Sequence, residues 1–458
     1  MNQRFKFAVL FASVIAASAG AAVSEEEARQ LGTTLTLFGA EKAGNKEGTI
    51  PAYEGGLPTS TAPAGFRKGS GKWVNPFAAE KPLYSITGQN VDKYASKLSQ
   101  VNIALLKRNP DFRIDVYPTH RTAAYPQYIL DKTVRNATAA KTIKGGIAIE
   151  GAIGGIPFPL PKTGYEVMWN HMTRYSGLAS EYWMRNFYID NNGKVVNSGE
   201  LKLIANYAFH NPKATAESVQ KDDAFFSQTA YNFTGPPRSV GDATTYFETI
   251  DPTVMPRRAY TYSASTRRVR LGPDIAYDTP IASQGGVTTY DDANLYQNKM
   301  DRFDFKLVGK REMLIPYSIY DLSFNLPSDK VLGPRFVNPD HTRWELHRVW
   351  VVEATLKPGF RHLYSKRVFY FDEDWTGAGM SDEYDAAGKL YKGLFQGVTQ
   401  LYDRQIPLSQ TYWAYDLSTG VYSMSQLMGD RDFGWQVRDT LYPKMQFSPE
   451  GLQARSGR

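Results

Sequence analysis

Three acidic clusters stand out among the residues able to do chemistry: Asp372-Glu373-Asp374, Asp382-Glu383-Asp385 and Asp291-Asp292. Paired carboxylates serve glycosidases as acid and base, and they serve calcium as oxygen ligands. The first two clusters flank a hairpin and the third falls in a loop. Turn chemistry accounts for acids at such places, so they are read as residues that cap strand ends and keep edges soluble. Five arginines form a second group. Arg257 and Arg258 open one strand, and Arg267, Arg268 and Arg270 open the next, after Ser263-Ala264-Ser265-Thr266. If the two strands pair, several guanidinium forks converge in a way that suits phosphate or carboxylate headgroups. A solvated strand face with surface ion pairs is the alternative.

Other chemistries lack their residues. The chain has no cysteine, which removes disulfides, thiol nucleophiles, thiolate metal sites and a lipidated N-terminal cysteine. No G-x-S-x-G or H-E-x-x-H occurs, and Ser70, between Gly69 and Gly71, lacks the nucleophile-elbow pattern. The six histidines are scattered. His341 and His347 are six apart, which fits neither a helix face nor adjacent strand positions, so no metal site is expected. Gly151, Gly154 and Gly155 carry no dinucleotide fingerprint and are read as points of close backbone approach, so no cofactor is expected.

The N-terminus has the form of a secretory signal. Arg4 and Lys6 precede the apolar run Phe7–Ala17, and the small residues Ala16–Ala22 offer cleavage sites. The run is short of the roughly 20 residues that span a bilayer. Residues 1–22 are therefore read as a cleaved signal and the mature chain as a soluble periplasmic protein. Cleavage leaves 51 basic against 46 acidic residues, a net charge near +5 that argues against nucleic acid as a partner.

The elements follow from periodicity. Ser24 and Glu27 form a capping box that starts a helix over 23–31. Gly39 to Gly71, rich in Gly, Pro, Ser and Thr, reads as an irregular arm. Val91, Tyr94, Ala95, Leu98, Val101 and Leu105 predict one helix ended by Pro110. Further helices are predicted over 125–139 and 165–175. From Glu181 the period becomes two, with hairpin turns at Asp190–Gly193, Lys357–Phe360, Asp385–Gly388 and Leu417–Gly420. The strand Trp344–Val352 and the return strand Tyr364–Tyr370 each carry a large apolar face. The class is mainly β (α+β): a large curved antiparallel sheet or partly closed β-barrel with helices packed on its open side. One domain is expected over 23–458, with an arm at 23–75, a helix-rich part at 76–175 and the sheet at 176–458.

Several segments together resemble a proteobacterial family, domain of unknown function 1329. They are Gly39–Asn45, Gly48–Ala52, Val116–Arg121, Gly154–Pro159, Trp169–His171, Leu307–Lys310 and the ribbon from Arg348 to Asp374. The resemblance spans essentially the whole mature chain. It implies a fold related to outer-membrane lipoprotein-sorting carriers and receptors. Tyr260–Tyr262 with Arg267–Arg270, and Tyr384-Asp385 with Gly388–Leu390, resemble strand patterns of those proteins. Their lipoprotein cargo is not carried over, because this chain is much longer and its arm has no counterpart there. Association with RND-type exporters or an outer-membrane protein is likewise an implication of the resemblance, as is a station at the outer membrane.

The expected function is a carrier or transport accessory for a hydrophobic or amphipathic small molecule or lipid. A non-catalytic adaptor of an envelope complex is the alternative, and a lipid or glycan hydrolase comes third. The expected ligand-lining residues are Trp169, Trp344 and Trp350, with His171 and Arg174 as a polar rim and Arg257, Arg258, Arg267 and Arg268 for a headgroup. No catalytic residue is expected.

Overall fold

The computed structural model describes residues 23–220, 225–272, 277–409 and 411–456. The predicted signal peptide lies outside them. Among the described residues no helix is long and apolar enough to cross a membrane.

Period-two patterning and Asp-led turns build the hairpins. Asp190 accepts hydrogen bonds from the backbone N–H of Asn192 and Lys194, both at 2.9 Å, so the strands Ala179–Ile189 and Val195–Asn206 fold back on each other. Asp385 does the same for Ala387 and Lys389, joining Gly379–Tyr384 to Leu390–Gln396. Asp416 holds the turn between Tyr412–Asp416 and Tyr422–Leu427 through Ser418 and Thr419. The turn after Trp344–Leu356 places Gly359 at φ 83°, the left-handed position that a type II turn requires. The return strand begins at Lys366, not Tyr364.

Sixteen strands form one sheet. From one edge the order is Tyr84–Ile86, Ile114–Val116, Trp344–Leu356, Lys366–Asp372, Gly379–Tyr384, Leu390–Gln396, Tyr412–Asp416 and Tyr422–Leu427. It continues through Ala179–Ile189, Val195–Asn206, Phe225–Gly235, Ala243–Thr249, Arg258–Ser263 and Arg268–Leu271. Phe303–Pro316 adds to Trp344–Leu356, and Trp435–Arg438 adds to Ala179–Ile189. The pairing is antiparallel except where Trp344 meets Val116. The sheet does not close into a barrel.

Both faces are covered. Val351, Tyr370, Met380, Phe395, Trp413 and Met424 share one face with the helix Gln100–Arg108. The other face carries Val352, Phe369, Phe371, Leu394 and Ala414, packed with the helix Gly164–Met172 and the segment 295–305. The single helix expected over 91–106 is broken in two, Val91–Tyr94 and Gln100–Arg108. Leu98 is extended between them. Ser99 then caps the second helix, and Asp382, reaching from a neighbouring strand, accepts from the N–H groups of Gln100 and Val101 at 2.9 and 3.0 Å. A tertiary cap supplied by the sheet outweighs the continuous apolar stripe. The arm is irregular, and Phe38, Ala40, Ile50 and Trp73 of it are buried in the core. Gly39, at φ 93°, lies so close to Pro159 that a Cβ would meet its carbonyl at 1.8 Å.

Candidate functional site

Cross-strand register places Tyr182, Leu203 and Tyr231 side by side on one face, with Met184 beside Leu201 and Thr229 beside Tyr246. All seven line a cavity of about 160 Å³, together with Tyr412 and Gln426 from the strands on the other side of Tyr182. Six neighbouring strands can face one cavity only if the sheet curves around it. The opposite wall comes from Trp169 and Met172 on the helix Gly164–Met172, from Arg174 just beyond its end, and from Tyr290, Asn294 and Tyr296.

The lining mixes aromatic and aliphatic side chains such as Tyr182, Met184, Leu203 and Tyr231 with polar ones such as Asn186, Glu248, Arg257 and Gln426. Burial holds the phenol pKa of Tyr182 well above its ordinary value and pushes those of Tyr207 and Tyr412 to about 12. These tyrosines therefore stay neutral and serve as hydrogen-bonding groups. Trp169 is buried, and its indole N–H donates to the Gly146 carbonyl at 2.9 Å. Burial also pushes the Arg174 guanidinium down to about 10. Its Nη1 donates to the His171 carbonyl at 2.8 Å, and its Nε has no partner. Arg257, also on the lining, pairs with Glu248 at 3.0 Å and packs over the Tyr246 ring.

The structure thus brings Trp169, Arg174 and Arg257 to one cavity. His171 sits behind the wall, stacked on Phe371, with ring nitrogens 2.6 Å from the Thr376 carbonyl and 2.9 Å from the Asn294 carbonyl. Burial pushes its pKa down to about 3, so the ring is neutral and donates to only one of the two. Trp344 is buried elsewhere, against Phe395. Trp350 packs under the Lys310 ammonium, 4.5 Å from its ring centre. The arginine strands do pair, with Arg268 opposite Ser263 and Arg270 opposite Thr261. Arg258, Arg267, Arg268 and Arg270 are exposed there, apart from Arg257.

The acidic clusters are not solvated strand ends, and this corrects the sequence reading. Asp385 does turn chemistry and Asp372 accepts from the Trp375 N–H of its own turn at 3.2 Å, but Asp291, Asp292, Asp372, Glu373, Asp374, Asp382 and Glu383 are all buried. The reason is that cations from distant segments meet them. Arg367, fully buried, contacts Asp291 at 3.1 Å, Asp292 at 2.8 Å and Glu383 at 2.8 Å. Tyr364 donates to Asp292 at 2.7 Å, and His362 lies 2.8 Å from Asp291. One guanidinium cannot neutralise three carboxylates, so the cluster divides. Asp291 is held down to about 2 despite burial, by Arg367 and His362. Burial and the Asp292 charge push Glu383 up to about 7. The cluster anchors the segment that carries Tyr290, Asn294 and Tyr296 into the cavity wall.

A second network gathers where the strand Lys366–Asp372 ends. Arg121 grips Asp374 with two bonds, at 2.9 and 2.6 Å, and donates to the Glu41 carbonyl of the arm. Lys310 bridges Glu41 and Glu373 at 3.0 and 2.7 Å, and Arg348 contacts Glu373. Glu41, Arg121, Lys310, Arg348, Glu373 and Asp374 belong to segments that are far apart in sequence and converge here. His347 lies between Glu345 and Asp372, at 3.3 and 3.4 Å. Burial opposes its charged form, yet the two carboxylates outweigh that and raise its pKa to about 9. His347, Asp372 and Asp374 offer donor atoms within 4.8 Å of one another, but Arg121 already occupies Asp374.

Sequence reasoning missed the tyrosines and polar groups of the cavity: Tyr182, Tyr207, Tyr231, Tyr246, Tyr290, Tyr412 and Glu248. A signal exists in the alternation Tyr182-x-Met184-x-Asn186 and Tyr246-x-Glu248, which marks one face of each strand without saying what that face meets.

The comparisons with known proteins follow this geometry. An uncharacterized protein of Pseudomonas aeruginosa is 38% identical over 454 residues, covering 97% of this chain and 98% of its own. Among solved structures, a domain assigned to outer-membrane lipoprotein sorting from Vibrio parahaemolyticus aligns with a TM-score of 0.41 and 16% identity, over 63% of this chain and 97% of that one. A DUF1329 family protein from Desulfovibrio piger aligns with a TM-score of 0.41 and 15% identity, over the same shares. The model for the protein family of unknown function DUF1329 matches residues 85–453, and on that match and the Pseudomonas relative the chain belongs to the DUF1329 family.

Proposed function

We propose that this protein is a periplasmic carrier or transport accessory that holds a hydrophobic or amphipathic molecule against the inner face of its sheet. The observation that carries the reading is the cavity of about 160 Å³ faced by six adjacent strands, five of which place aromatic or aliphatic side chains on it. A dry protein cavity of about 150 Å³ takes up benzene, so this one accommodates a ring or a short stretch of chain. The rest of a longer ligand leaves through the mouth. Each buried methylene contributes about 0.8 kcal/mol, so useful affinity needs no catalytic group. A binding role also suits the polar lining. Among the described lining residues Glu248 is the only carboxylate, and it is tied to Arg257 and to Gln297 at 2.9 Å. His210 is tied to the Thr173 carbonyl at 2.8 Å. The N-terminal signal pattern supports a periplasmic station, and handing a ligand to an envelope exporter or outer-membrane protein is the role proposed there.

The test is to delipidate the mature protein and titrate it with fatty acids, phospholipids, terpenoids and sterols. Tryptophan fluorescence and thermal stability are followed. A ligand of the folded state raises Tm with concentration, and Leu203→Trp, which fills the cavity, abolishes the effect. No shift across the panel, or an equal shift in the filled variant, removes the carrier reading and leaves the adaptor one.

A further inference from the structure

We propose that the cavity selects ligands with an anionic headgroup, and that Arg174 is the residue that receives it. This inference rests on the binding role above and names the ligand class.

The argument begins with charge. Two other charged pairs touch the cavity, and each is internally matched: Glu248 with Arg257 at 3.0 Å, and Lys299 with Asp301 at 3.2 Å. Arg174 is not matched among the described residues. Among the described residues no carboxylate lies within 4.0 Å of it, and its surroundings are the phenols of Tyr182, Tyr207 and Tyr246. Its Nε is buried without a hydrogen-bond partner. The residue keeps some accessible surface and is one of those that line the cavity. A buried unpaired cation is costly, and native proteins pair such groups or leave them facing a ligand. The depressed pKa agrees with that cost, while at about 10 the group stays charged at neutral pH.

The position of Arg174 offsets part of this cost. It follows the helix Gly164–Met172, and Nη1 donates to the His171 carbonyl in the last turn. The carboxyl end of a helix carries partial negative charge, which offsets part of the cation. The same bond fixes the plane of the guanidinium and leaves its other edge for a ligand. A planar fork presents two parallel N–H groups to a carboxylate or phosphate. The apolar body of the ligand then lies against Leu201, Leu203 and Trp169.

The experiment compares decanoate, decyl phosphate and decanol on delipidated mature protein, by calorimetry and tryptophan fluorescence. The proposal expects at least one of the two anions to bind tenfold or more tightly than decanol, and the better anion identifies carboxylate or phosphate as the source. Arg174→Gln brings that anion to within about twofold of decanol without weakening decanol itself, and Arg174→Lys retains part of the preference. Equal affinity of all three for the wild type overturns the proposal and leaves the cavity reading intact. A preference that persists in a folded Arg174→Gln protein also overturns it. No binding of any probe removes both readings. If the Gln variant does not fold, the wild-type ratio decides alone.

Discussion

Replacing Glu383 with Gln should flatten the pH dependence of stability in one defined window. In the folded protein Glu383 has a pKa of about 7, raised from 4.5 by burial and by Asp292, with Arg367 opposing. Below pH 4.5 both states hold the proton and stability is unaffected. As pH rises from 4.5 towards 7 only the unfolded chain releases it, so the folded state is progressively weakened. Above 7 the loss is complete. Each pH unit between the two values is worth about 1.4 kcal/mol, so the whole loss is about 3 kcal/mol. Glutamine keeps an acceptor for Arg367 and for the Ser381 hydroxyl, 2.7 Å from the native carboxylate, and has no proton to lose. Urea unfolding of both proteins from pH 4.5 to 8 is the assay. The account expects the Gln variant to gain about 3 kcal/mol relative to wild type across that range. Taking the difference cancels other carboxyls raised by burial, such as Asp382. A difference independent of pH refutes the raised pKa of Glu383.

Arg121→Met leaves Asp374 buried without its bidentate partner and should cost about 3–5 kcal/mol in urea unfolding, with Asp374→Asn in the same chain recovering part of it. Gly39→Ala combines a left-handed backbone with a contact to the Pro159 carbonyl, and should cost about 2–4 kcal/mol. It should also expose the arm to protease within residues 40–70; an arm as resistant as in wild type contradicts its docked placement. Trp169→Phe removes the bond to the Gly146 carbonyl, should cost about 1 kcal/mol, and should abolish most of any ligand-induced fluorescence change.

What the sequence revealed and concealed has a physical pattern. Local chemistry was legible. The Asp-led turns at Asp190, Asp385 and Asp416 and the capping box of Ser24 and Glu27 need only neighbours in the chain, and all are formed. Non-local chemistry was not. Asp372–Asp374 resemble a soluble turn until Arg121 and Lys310 arrive from 253 and 63 residues away. The strand order likewise places Tyr422–Leu427 beside Ala179–Ile189, a pairing that no local pattern encodes. Trp169 and Arg174 reach the cavity because the helix Gly164–Met172 and the residues just after it cover the sheet. Trp344 and Trp350 were not separable from core, since a strand buried on both faces gives tryptophan the same setting with or without a cavity.

The most direct measurement is a crystal structure of the delipidated protein soaked with a brominated fatty acid, with bromine located by its anomalous scattering. The account predicts bromine peaks inside the cavity, between Trp169 and the Leu203–Tyr231 wall, and a carboxylate beside Arg174. Bromine found only on the outer surface, or a cavity left unchanged at saturating ligand, would contradict it.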